Sequence, residues 1–217
     1  MKKYLDFIKS LSKTAIICMG ICALTQLATY YIPMIFGRDT VRTLTSALDE
    51  RIPFIPGFVF IYVAAFVFWV VCFLRVFSQN LYIAKRLVLA DSLAKLVCVL
   101  CFCLFPCTLK QPAAEEMRGF GAWALKIVYF FDKPTNLLPS MHCHASWLCL
   151  RSYLSRHNDG FSRGSKVFVV IFAVLICAAT LFTKQHVVID VVTGIAVADV
   201  MWIVVGGLLG KKYPVKE

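Results

Sequence analysis

"FIPGFVFIYVAAFVFWVVCFLRV", residues 54–76, runs from Phe54 to Leu74 without a single charge. A helix crosses the hydrocarbon core of a bilayer with about 20 apolar residues. This stretch is long enough, and its apolar side chains cover every side of the helix rather than one stripe. Such a helix belongs in the interior of a large protein or in a membrane. The chain has only 217 residues, yet 60% are hydrophobic and 16% charged, and its mean hydropathy is +0.77. Soluble domains sit nearer one half apolar. The reading that follows is an all-α integral membrane protein, with residues 1–217 forming one domain.

Working outward, six spans can be drawn, at about 14–36, 54–76, 87–106, 140–154, 166–182 and 186–209. No small-residue cleavage site follows the first apolar run, so it is expected to stay as a span. The fourth is short and carries polar residues. The net charge of +11 would suggest nucleic acid in a soluble chain. Here the basic residues flank apolar spans, where they act as topology signals, and no nucleic-acid partner is expected. The N-terminus, second loop, fourth loop and C-terminus hold 14 of the 23 Lys and Arg, the other loops hold 8, and Lys95 lies within a span. The richer side should be cytoplasmic, which places both termini inside and the heads of the fourth and sixth spans outside. The ten cysteines mostly sit within apolar runs, as in "CVLCFC", residues 98–103. Buried thiols of that kind pack as small hydrophobes, and their spacing matches no disulfide framework or zinc site.

Polar exceptions carry the chemistry. "HVVID", residues 186–190, puts His186 and Asp190 four apart, on one face of a helix. A carboxylate within an apolar span costs about 2.5–3.5 kcal/mol, so Asp190 needs a partner. His186 is the nearest candidate. The pair would fix one imidazole nitrogen and free the other to attack. "PSMH", residues 139–142, opens the fourth span. Pro139 suits a first turn, Ser140 can cap it, and His142 follows within it. Helix N-termini bind anions, so two such ends on one membrane face, each with a histidine, suit phosphoryl transfer. One histidine would be the nucleophile and the other the general acid. Asp91 and Lys95 form another pair at i and i+4, read as self-neutralising.

"PSMH" and "HVVID" resemble the second and third motifs of the type-2 phosphatidic acid phosphatase and vanadium haloperoxidase superfamily. Those motifs read Pro-Ser-Gly-His and Ser-Arg, five residues, His, three residues, Asp. The longer run "YFFDKPTNLLPSMH", preceded by "LFPCTLKQP" and followed by "KQHVVID", is similar to a bacterial sub-branch related to inositolphosphotransferase and sphingolipid synthase domains. The resemblance covers roughly residues 50–205. It implies six helices and an outward-facing active site that needs no metal or other cofactor. By it, His186 is the phosphohistidine nucleophile, Asp190 its orienter and His142 the acid for the leaving group. Ser140 holds a phosphate oxygen, and His144 has no family role.

Two arginines of the family pattern are replaced. Gln111 and Pro112 stand where the first motif ends in Arg-Pro, and Ala179 and Thr180 stand at the Ser-Arg of the third. The expected phosphate ligands are therefore Ser140, Lys110, Gln111, Lys184 and Gln185. The implied substrate is a lipid phosphate ester at the outer leaflet, phosphatidic acid-like if water is the acceptor. Transfer of a phospho-head group to an alcohol is the alternative reaction. A lipid-phosphate transporter or scaffold without turnover is the alternative class.

Overall fold

The computed structural model describes residues 13–36, 42–113, 117–156 and 160–212. Lys2, Lys3, Lys9, Arg38 and Lys216, which entered the charge count, lie outside them. Among the described residues eight helices follow in order: α1 (Lys13–Phe36), α2 (Ala47–Arg51), α3 (Val59–Gln79), α4 (Leu81–Leu104), α5 (Ala122–Phe131), α6 (Met141–Tyr153), α7 (Arg163–Phe182) and α8 (Val188–Lys212). A 3₁₀ turn at Pro56–Phe58 leads into α3. A two-residue parallel pair, Arg42–Thr43 with Cys107–Thr108, ties the loop after α1 to the loop after α4.

Among the described residues, five helices are long and apolar enough to cross a membrane: Lys13–Phe36, Pro56–Gln79, Leu81–Leu104, Arg163–Phe182 and Val188–Gly210. The expected fourth span is the exception. α6 has 13 residues, about 20 Å at 1.5 Å per residue, which falls short of the ~30 Å core. Pro139 limits it at one end, because its ring cannot continue a helix backward. At the other end Tyr153 hands over to a turn.

α6 sits at the centre. Ten of its 13 residues are buried, and it packs on α3, α4, α7 and α8. Polar bonds fix it on three sides. Trp69 of α3 donates its indole N–H to Ser146 Oγ at 2.9 Å. His144 Nε2 lies 3.2 Å from Asp91 Oδ1 of α4. Trp147 donates to Asp199 of α8 at 3.0 Å, and Arg151 pairs with the same carboxylate. Lipid offers helices little hydrophobic drive to associate, so close packing and such bonds do the work.

Gly194 makes a close approach of two helices possible. A Cβ there would lie 2.6 Å from the Ser140 carbonyl oxygen and 3.2 Å from Cys143 Cβ. Without that side chain, α8 reaches the start of α6, and Ser140 N–H donates to the Asp190 carbonyl at 3.0 Å. The heads of the two motif-bearing helices are thereby locked at one level.

Candidate active site

His186 precedes α8 in a tight turn. Its Nδ1 is 3.2 Å from Asp190 Oδ2, and the same oxygen accepts the Val187 N–H at 3.0 Å. Asp190 is fully buried. The i, i+4 spacing read from the sequence thus produces the expected pair. With Nδ1 turned to the carboxylate, Nε2 is the nitrogen left for other chemistry. Burial would lower the imidazole's pKa, but the hydrogen bond and the charge of Asp190 outweigh it and hold it above the ordinary value.

His142 enters from α6. Its ring centroid is 6.2 Å from that of His186, though the residues are 44 apart in sequence. One phosphate can reach both imidazoles at this separation. His142 is 8% exposed, and its Nε2 is buried without a hydrogen-bond partner among the described residues. An orphaned buried donor or acceptor costs about 1–3 kcal/mol, so this nitrogen has unused bonding capacity. Both histidines line a cavity of about 390 Å³, together with Tyr62, Phe66, Trp69, Asp132 and Gln185. Its wall also includes residues whose apolar side chains face outward, such as Val63, Ile127 and Phe131.

The other expected ligands take varied places. Gln185 lines the cavity; its side chain accepts from Gln111 Nε2 at 3.1 Å and donates to the Asp132 carbonyl at 3.4 Å. Gln111 is therefore one step behind the wall. Ser140 caps α6, accepting the Cys143 N–H at 3.3 Å. Lys184, in the left-handed region at φ 50°, donates its ammonium to the carbonyls of Asp49 and Ile52 at 2.8 and 2.7 Å. Lys110 is exposed. Of the described residues that line the cavity, Lys133 is the one Lys or Arg, and Ser140, Lys110, Gln111 and Lys184 are not among them.

Asp49 was not legible as part of this region. It closes a capping box with Ser46 at the head of α2. Its Oδ1 also accepts the Val188 N–H at 2.7 Å, across 139 residues. Burial would raise the pKa of this carboxyl, but the bonds from Ser46 and Val188 and the Lys184 ammonium hold it below the usual carboxylate value. The consequence for the site is direct. The head of α8 spends its first amide on Asp49, not on an incoming anion, and Lys184 anchors the same loop.

His144 turns away from the cavity. With Asp91 and Lys95 it makes a buried chain, Lys95 Nζ lying 2.7 Å from Asp91 Oδ2. Lys95 also donates to the Cys22 carbonyl of α1 at 3.3 Å. The expected self-neutralising pair is there, with a third member whose distance in sequence had hidden it. No protein-family model matches the chain, and no curated protein matches it in sequence.

Proposed function

We propose that this chain is a multi-pass membrane enzyme that cleaves a lipid phosphate ester through a phosphohistidine on His186. The observation that carries the reading is the shared cavity, with His186 backed by Asp190 and the His142 imidazole 6.2 Å away. His186 Nε2 attacks phosphorus while the P–O bond to the leaving group breaks. His142 gives that oxygen its proton. Water then attacks the phosphohistidine, His142 takes the water's proton, and phosphate leaves as the N–P bond breaks. Entering and leaving groups lie roughly in line in such a transfer, and two imidazoles on opposite sides of one phosphorus satisfy this. The outward-facing apolar residues in the cavity wall favour a substrate that arrives from the bilayer. In this reading α6 is a shortened fourth crossing, both termini are cytoplasmic, and the site belongs to the outer leaflet.

A second reading has an observation of its own. Lys184 is held by two carbonyls, and Asp132 shares the cavity wall with Lys133. A phosphomonoester dianion would meet few cations there. A diester carries one charge and asks for fewer, which favours transfer of a phospho-head group to an alcohol. A panel of phospholipids given to the purified protein, with released inorganic phosphate and new phospholipids scored together, decides between them. Binding of lipid phosphate with neither product would leave the transporter or scaffold class standing.

A further inference from the structure

Three aromatic residues of α3, Tyr62, Phe66 and Trp69, occur at i, i+4 and i+7 and so share one face. That face is laid against His142. Tyr62 stacks on the imidazole with centroids 4.1 Å apart and planes 23° apart. Phe66 meets it at 5.6 Å and 83°, and Trp69 at 5.1 Å and 61°. Trp69 is fixed in turn by its bond to Ser146, which lies one turn beyond His142 on α6. Tyr62 is 2% exposed, and its hydroxyl donates to Asp132 Oδ2 at 2.5 Å. Asp132 ends α5, a short helix at the side of the bundle.

We propose that Tyr62, Phe66 and Trp69 form an aromatic cage for the protonated imidazole of His142, and that Asp132, acting through the Tyr62 hydroxyl, strengthens it. The face of an aromatic ring is its negative region and attracts a cation stacked on it. A phenol hydrogen-bonded to a carboxylate is polarised further toward its ring. The proposal rests on His142 as the proton donor to the leaving oxygen. Tyr62 and Asp132 are then positioning residues, which set the plane of the ring and favour its charged form without touching the reacting atoms. The charged and titratable groups around His142 fit this division. From the turn before α8 comes His186, a second base whose own partner is Asp190. From α5 and the loop after it come Asp132 and Lys133, from α3 Tyr62, and from α1 Tyr30, all on the same cavity. Cys143 and His144 adjoin it on α6 itself, the latter held by Asp91. Asp132 is the carboxylate linked to His142 through one intervening ring.

The test compares Tyr62→Leu, which removes the ring, with Asp132→Asn, a half-exposed site at a helix end where folding is not at stake. Turnover is measured against pH on two phosphate esters, an alkyl lipid ester and a p-nitrophenyl ester. Cation–π strengths of this kind correspond to about 3- to 30-fold. Relative to the p-nitrophenyl ester, both variants should lose that much more on the alkyl ester, whose leaving oxygen needs the proton. The alkaline limb of the alkyl profile should move to lower pH. Equal losses on both esters, or no loss on either, overturn the proposal. If the unaltered protein turns over neither ester, the enzymatic reading fails, and nitrogen NMR of ¹⁵N-histidine-labelled protein with inorganic phosphate judges the cage alone. His142 should then give imidazolium signals over a wider pH range in the unaltered protein than in either variant. Identical His142 signals in all three proteins refute it.

Discussion

His142 and His144 stand two residues apart on α6, yet the helix gives them opposite surroundings. Two residues turn a helix by about 200°. His142 meets a cavity, an aromatic face and a second imidazole; His144, with no exposure at all, meets a carboxylate and, beyond it, an ammonium. Both faces are polar exceptions in an apolar protein. What separates them is closure. The Asp91–Lys95–His144 chain is satisfied by its own members and by the Cys22 carbonyl, apart from His144 Nδ1. On the other face, His142 Nε2 has no hydrogen-bond partner among the described residues. A closed buried network sets the register of α6 against α4 and α1. An open one leaves capacity for a substrate. Changes on the cavity face should therefore alter turnover more than stability, and changes on the core face the reverse.

The largest effect expected is that of His186→Ala. In the proposed mechanism it removes the nitrogen that would bond to phosphorus, so turnover should fall below detection and no phosphate label should be trapped on the protein. Full activity in this variant would dissolve the comparison, since the cavity face would then carry no chemistry. Next comes His142→Ala. General acid catalysis is worth about 10²–10⁴, and the loss should shrink for a substrate with a good leaving group. Its thermal unfolding in detergent should stay close to that of the unaltered protein.

Asp91→Ala reverses the balance. It removes the carboxylate that Lys95 and His144 share while all three are buried. Breaking a buried ion pair from one side costs about 3–5 kcal/mol, read as a lowered unfolding midpoint. His144→Ala should cost less, about 1–3 kcal/mol, the penalty of one buried carboxylate oxygen left without its partner. Both variants should retain most activity per folded molecule. A loss from His144→Ala as large as that from His142→Ala, with stability unchanged, would break the distinction between the two faces.

These contrasts also explain what could be read in advance. Apolar length gave five long helices nearly in place, because a span is a local property. The third was expected to begin at residue 87 and begins at Leu81 instead. Lys85 and Arg86 look like a loop, but the Arg86 guanidinium donates to the Trp202 carbonyl and lies 4.2 Å over the Trp202 ring. A charge satisfied inside the bundle does not end a helix. His186 and Asp190 were legible because i, i+4 is a local spacing. Asp49, Tyr62 and Asp132 were not. Each acts on a partner 70 or more residues away, and only Tyr62–Phe66–Trp69 left a trace, an aromatic i, i+4, i+7 row inside the very stretch that announced the membrane.

The smallest effect is a shift in pH dependence, and it separates the two faces most finely. In the proposed mechanism His186 must be neutral to attack, and Asp190 holds its pKa above the ordinary histidine value. Turnover should therefore rise with pH through that raised value, giving an acidic limb displaced upward from the usual histidine range. Asp190→Asn removes the charge that does the raising. Burial then acts with less opposition, so the limb of the residual activity should move to lower pH. His144→Ala changes a histidine on the closed face and should leave the limb where it is. The two pH profiles, measured on the same ester at saturating substrate, give the comparison. A limb that stays fixed in Asp190→Asn, or moves in His144→Ala as far as it does there, would assign the acidic limb to some group other than His186.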